Sequence, residues 1–120
     1  MARLEALLSG MPGDRELRLL LEQLDPGPGG SFTWLDPRNT AINVIPESHA
    51  LPVQVLLELR GRHGLGVLVT SQEGMGRGAP LSHKVLEQVL GQLQALIPTS
   101  ELQYRTDLDG PISRVVAVTG

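Results

Sequence analysis

The chain has 120 residues, 41% of them hydrophobic, with a formal net charge of −3 and no cysteine. This length suits one domain with its own core, and the absence of cysteine excludes disulfides, thiolate metal sites and cysteine nucleophiles. The acidic balance and the single Phe, Trp and Tyr argue against general nucleic-acid binding, which uses cations and aromatic stacking surfaces. No apolar run is long enough to span a bilayer, so we expect a small cytoplasmic protein without membrane contact.

The N-terminal part is expected to be helical. Leucines at helical spacing in residues 2–9 predict a first short helix. After Asp14, which can cap a second helix, leucines recur at i, i+3, i+4 and i+7. The spacing predicts a helical hairpin over residues 1–24. Prolines and glycines then break the pattern in residues 25–30, which is expected to be a linker or a long loop before the main body, residues 31–120.

The main body begins with a predicted hairpin and an ambiguous segment. Residues 31–35 and 40–45 are typical of two strands joined by the turn sequence Asp-Pro-Arg-Asn. Residues 52–60 fit a strand by alternation and a helix by spacing. Pro52 suits a first helical turn and Gly61 suits a helix end, so the pattern favours a helix. A helix here makes a right-handed βαβ unit, whereas a strand makes a meander.

The second half of the chain has clearer patterns. Residues 65–71 form a continuous apolar run typical of a buried strand. Residues 80–97 carry a broad apolar stripe between two prolines, which predicts a helix. Residues 101–107 and 112–119 predict a final hairpin. The expected fold class is α+β or α/β: a single two-layer domain with a mixed sheet of about five strands, packed helices and an N-terminal helical hairpin.

Cations gather around a glycine-rich loop in this acidic chain. Residues 60–84 carry four Arg and Lys residues against one acid. A strand, loop and helix in succession can offer backbone N–H groups and a helix dipole to an anion, and arginine can bind phosphate through two bonds. The alternative is a surface loop whose cations only keep the protein soluble. On the first interpretation, segment 74–84 contacts a phosphate-containing ligand through Gly76, Arg77, Gly78, Ser82, His83 and Lys84.

A second pattern is acidic. Glu73, followed by glycine, comes two residues after the predicted strand 65–71, and Asp107 and Asp109 lie at the end of the later predicted strand 101–107. The two motifs together resemble the metal-binding pattern of topoisomerase–primase (Toprim) domains. The resemblance implies a metal-dependent phosphoryl-transfer or nuclease-like enzyme, with Glu73 as general acid or base and the two aspartates holding magnesium. Alternatively, Asp109 and Gly110 simply form a hairpin turn.

The remaining features favour binding over catalysis. The histidines show no metal-ligand spacing and no serine nucleophile motif is present, so no cofactor is expected. The apolar C-terminal run, residues 114–119, is expected either to lie inside the sheet or to pair with a second copy as an edge strand. We therefore predict a non-catalytic binding or assembly module that forms a homodimer, with the metal-dependent enzyme as the alternative.

Overall fold

A computed structural model describes residues 2–73, 78–106 and 112–113. Its helices are α1 (Asp14–Leu21) and α2 (Pro80–Leu96), and its strands are β1 (Ala2–Ser9), β2 (Ser31–Asp36), β3 (Asn39–Val44), β4 (Val53–Leu59), β5 (Leu65–Ser71), β6 (Glu101–Thr106) and β7 (Ile112–Ser113). The strands form one sheet in the order β2-β3-β4-β5-β1-β6-β7, and every pairing is antiparallel. Within the described part of the chain, no helix combines the length and apolarity needed to cross a bilayer.

Residues 2–9 are a strand instead of a helix, so the predicted helical hairpin over residues 1–24 is wrong, although its second helix is present as α1. β1 lies inside the sheet between β5 and β6, and α1 is the one helix in this segment. The buried residues of β1 occupy alternate positions along the strand: Ala2, Leu4, Ala6 and Leu8. Leucine is compatible with both a helix and a strand. Only as a strand can residues 2–9 form backbone hydrogen bonds with a neighbouring strand on each side. The pairing with two distant strands therefore decides the conformation of this segment.

Segment 52–60 is also a strand, so the predicted helix and the βαβ unit are wrong. β4 alternates buried and exposed residues, with Val53, Val55, Leu57 and Leu59 facing the core. β-branched valines favour a pleated surface over a helix. β2 to β5 consequently form an antiparallel meander. The expected mixed sheet of about five strands is replaced by an antiparallel sheet of seven.

Other predicted elements are confirmed. β5 spans the predicted residues 65–71, and α2 ends one residue before the predicted end. The β2–β3 hairpin forms where it was expected, and its turn is closed by Asp36, whose carboxylate accepts a 2.7 Å hydrogen bond from the backbone N–H of Arg38. Of the last predicted strand, residues 112–119, the part after residue 113 lies outside the described residues.

Both helices cover the same face of the sheet. The core between them and the sheet consists mainly of leucine and valine from β1, β4, β5, α1 and α2. The proline- and glycine-rich segment 25–30 is a loop fastened to α2. The Gln92 side-chain amide accepts from the backbone N–H of Asp25 at 2.8 Å and donates to its carbonyl at 3.1 Å. The other face of the sheet carries no helix among the described residues, and we call it the helix-free face.

Candidate functional site

The predicted phosphate-binding segment surrounds the start of α2. Gly76 and Arg77, the residues with the strongest chemical case for phosphate, lie outside the described residues. Gly78 leads into the helix with a φ of +79°, and Ser82 in its first turn is fully buried. The Ser82 hydroxyl is therefore withdrawn from solvent and cannot meet a dissolved anion without a rearrangement.

His83 and Lys84 lie in different environments. His83 is half-buried, and its Nε2 atom is buried without a hydrogen-bond partner among the described residues. Lys84 is exposed, and its Nζ donates to the Pro46 carbonyl at 3.3 Å. The described side chains of segment 74–84 thus do not converge on one exposed point.

The structure instead brings Glu73 onto the N-terminus of α2. The Glu73 carboxylate accepts hydrogen bonds from the backbone N–H groups of Leu81 at 2.9 Å and Ser82 at 2.7 Å, and from the Ser82 hydroxyl at 2.7 Å. The Ser71 hydroxyl lies 2.6 Å from that of Ser82 and accepts from the Glu73 backbone N–H at 3.1 Å. The favourable place for an anion at a helix N-terminus is therefore filled by a carboxylate of the chain itself.

This network sets the ionisation of Glu73. Burial raises the pKa of its carboxyl, but hydrogen bonds from Leu81, Ser82 and Ser71 favour the charged form more strongly, and the pKa lies below its ordinary value. A carboxylate held ionised in this way is poorly matched to general acid–base work near neutral pH. Asp107 and Asp109, the metal ligands that the resemblance implies, lie outside the described residues. Glu73 thus has a structural role, as a helix cap, that its sequence context did not indicate.

The helix-free face carries apolar residues where a solvent-facing sheet normally carries polar ones. The strand register places Thr33, Ala41, Leu56, Leu68 and Glu5 in one row across five strands. Leu56 and Leu68 are directly opposite each other at its centre and are half-buried. Antiparallel sheets with one wet face usually alternate apolar-in and polar-out, so this pair departs from the rule.

A depression of about 220 Å³ lies on the same face, beside the leucine pair. The neighbouring row runs through Glu58, Gly66, Leu7 and Tyr104. The Arg60 guanidinium packs directly over Gly66, since a Cβ there would come within 2.7 Å of it. The residues lining the depression are Arg3, Glu5, Ala6, Asn39, Leu56, Glu58, Arg60, Gly66, Val67, Leu68 and Tyr104.

Charges of both signs surround this apolar centre. Arg60 Nε donates to the Glu58 carboxylate at 2.6 Å, and Arg3 donates to Glu5 at 3.1 Å. The hydrogen bond to Glu58 is the main cause that raises the pKa of the Arg60 guanidinium, with Tyr104 adding to it against the cost of burial. The face thus has an apolar centre and a rim of paired charges, which is the general anatomy of protein interfaces.

Sequence reasoning did not single out this face. A signal was present: β4 reads Val55-Leu56-Leu57 and β5 reads Val67-Leu68-Val69, so apolar residues occupy both faces of the sheet at these positions. In a central strand covered on both sides such a run is normal. Only the finding that both helices lie on one side turns Leu56 and Leu68 into candidates for binding.

Another groove lies on the opposite side of the sheet, between α2, β3 and the loop 25–30, with a volume of about 590 Å³. Its walls are mostly aliphatic side chains and prolines. Gln92, one of its polar side chains, is already bonded to the backbone of Asp25. The groove therefore shows no set of free polar groups that would orient a particular ligand.

Two further results bear on function. In residues 2–73, 78–106 and 112–113, no group of three or more His, Cys, Asp or Glu side chains is arranged to hold a metal ion. No protein family, no curated protein and no solved structure matches this chain.

Proposed function

We propose that this chain is a non-catalytic assembly domain that binds a second copy of itself through the helix-free face of its sheet. The observation that carries the proposal is the half-buried pair Leu56 and Leu68, opposite each other at the centre of that face. Leu7, on the neighbouring row, is half-buried as well. Two sheets stacked face to face would bury these side chains as a sandwich core does.

The charges around the leucine pair fit a twofold partner. The rim contributes two arginines, Arg3 and Arg60, and two acids, Glu5 and Glu58, so it is electrically balanced. A twofold contact brings the same surface from both copies together, and a balanced rim avoids net repulsion between them. The chain as a whole carries a charge of −3, which makes a neutral patch favourable for self-contact.

Other parts of the functional prediction stay predictions. A phosphate contact at segment 74–84 depends on Arg77, and the Glu73 carboxylate already occupies the N-terminus of α2. Dimer formation through residues 114–119 concerns residues outside those described. A cytoplasmic location is also proposed rather than observed, on the basis of composition.

The test is sedimentation velocity over a wide concentration range with the full chain. Leu68→Glu places a charge at the centre of the proposed interface and should abolish association at concentrations where the wild type is a dimer. Leu51→Glu is the matched control, because Leu51 is 63% exposed and precedes β4 away from the face. This control should associate like the wild type.

Two results would overturn the proposal. One is a wild-type protein that sediments as a monomer at every concentration, up to the highest that stays in solution. The other is a Leu68→Glu protein that dimerises as tightly as Leu51→Glu does. Circular dichroism of both variants establishes that the substituted chains are folded, so that a loss of dimer reports on the interface.

A further inference from the structure

The β2 edge of the sheet is open in the described structure. β2 is the terminal strand on that side, paired only with β3. Its first five residues, Ser-Phe-Thr-Trp-Leu, carry no charge and no proline. Natural edge strands are usually protected by charges, prolines or a covering loop, because their unpaired N–H and C=O groups accept another strand. The first five residues of β2 therefore lack the protection that charges or prolines would give.

Exposed leucines lie beside this edge. Leu35 on β2 is 60% exposed and Leu19 on α1 is 62% exposed. Together with Leu51 they are the large hydrophobic residues of the described chain that are most open to solvent. Single exposed leucines are common, but two on adjoining elements next to an uncharged edge indicate a contact surface.

Several contacts hold the two aromatic side chains on the helix side of the β2 edge. Phe32 and Trp34 meet edge to face with ring centres 5.7 Å apart. The Trp34 indole N–H donates to the Glu22 carboxylate at 2.9 Å, and the Arg18 guanidinium lies 5.0 Å from the centre of the Trp34 ring. These contacts hold the aromatic side chains in place, so a bound segment would lose little free energy in ordering them.

A cleft of about 540 Å³ continues the edge beyond the end of β2. It is lined by Asp14, Arg15, Arg18, Leu19, Glu22, Pro37 and Arg38. Arg38 is paired with Asp14 at 2.8 Å, whereas Arg15 makes no ion pair with any residue that the structure describes. The cleft therefore has a surplus of positive charge and an arginine available to a carboxylate.

We propose that the β2 edge binds an extended peptide segment by strand addition. The peptide carries small or apolar side chains at alternate positions and a carboxylate that reaches Arg15 in the cleft. An antiparallel orientation matches every other pairing in the sheet and places the acidic end of the peptide at its N-terminus.

A second copy of the chain fits the edge less well than a separate peptide. In an antiparallel β2–β2 contact, the residues preceding β2 of the partner would have to enter the cleft. Those residues are the loop 25–30, which the Gln92 side chain holds against α2. The occupant we assign is thus a flexible extended segment of another protein, and the β2 edge lies two strands away from Leu56 on β4, at the centre of the helix-free face.

The test uses a synthetic peptide with blocked ends, Glu-Glu-Thr-Val-Thr-Val-Thr, titrated into isotope-labelled protein and followed by amide NMR. Shifts should concentrate in residues 31–36 and around Arg15. Replacing the two Glu residues by Lys should weaken binding about fivefold, and Arg15→Glu in the protein should do the same. Lys84→Glu, at an exposed cation on α2 that does not line the cleft, is the matched control and should bind like the wild type.

Protein variants give a second readout. Leu19→Ser and Leu35→Ser should each weaken the peptide about tenfold, because each removes apolar area that the peptide covers, while changing stability little. Shifts confined to other residues, or no binding at the highest peptide concentration, would overturn the inference. Shifts in residues 31–36 that grow with protein concentration alone would overturn it too, because they would assign the edge to a second copy.

Discussion

The two faces of the sheet are made by alternate residues of the same strands, yet their environments differ sharply. On the covered face, Leu57 and Val55 are completely buried beneath the helices. On the helix-free face, Leu56 between them is only half-buried, within a rim of charge pairs. The difference shows that apolar content alone does not define a core. The covered face stabilises the fold, and the apolar centre of the other face is left partly exposed among the described residues.

The sharpest test of this contrast uses neighbouring residues of β4. Leu57→Ala leaves a cavity in the core and should lower the free energy of unfolding by about 3 kcal/mol. Leu56→Ala, the matched variant on the helix-free face, should cost less than about 1 kcal/mol when measured on the monomer. Urea denaturation at low protein concentration measures both. Equal costs for the two variants would show that the faces are not distinct.

A second pair of variants compares Gly64, just before β5, with Gly66, within β5. Gly64 has a φ of +97°, and a Cβ there would lie 2.1 Å from the Leu8 carbonyl oxygen, which belongs to the backbone. Gly64→Ala should therefore cost about 2 to 3 kcal/mol. At Gly66 the clash would be with the end of the flexible Arg60 side chain, so Gly66→Ala should cost under about 1 kcal/mol. Thermal denaturation ranks the two, and the reverse order would refute the packing described here.

The Glu73 carboxylate, which caps the N-terminus of α2, provides a test by pH. Glu73→Ala removes the helix cap and should cost about 1.5 kcal/mol at neutral pH. The pKa of Glu73 is lowered in the folded protein, so its contribution is complete above the ordinary carboxyl pKa and is lost as pH falls through the lowered value. The difference in stability between wild type and Glu73→Ala should therefore shrink in acid. A difference that stays constant down to the lowest pH at which the protein folds would contradict this role.

The smallest effect is expected at the rim of the helix-free face. Glu58→Gln breaks the exposed ion pair with Arg60 and should change monomer stability by less than about 0.5 kcal/mol. Added salt should reduce that difference further, since exposed charges are screened. Denaturation of wild type and variant at low and high salt measures it. A loss of several times this size would mean that the pair supports the fold.

The sequence allowed the strongly patterned elements to be predicted. The apolar run of β5 and the stripe of α2 each have a single physical interpretation, and both were confirmed. The leucine-rich segments β1 and β4 have two possible interpretations, because their apolar residues fit both helical spacing and strand alternation. Pairing with strands distant in sequence decided both cases, and no local pattern contains that information.

The site was harder to predict for a similar reason. Glycines and cations marked segment 74–84, but the role of Glu73 depends on its distance to Leu81 and Ser82, which only the folded chain provides. Leu56 and Leu68 looked like ordinary core residues until the positions of the helices were known. Burial is a property of the whole fold, so residues left uncovered on a sheet cannot be recognised from their own strand alone.

The central claim is that the helix-free face binds a second copy of the chain. The most direct measurement is an isotope-filtered NOE experiment on a mixture of labelled and unlabelled protein, which detects only contacts between copies. We predict contacts between copies from the methyl groups of Leu7, Leu56 and Leu68. Contacts restricted to β2, α1 or α2, or none at a concentration where sedimentation shows a dimer, would contradict the claim.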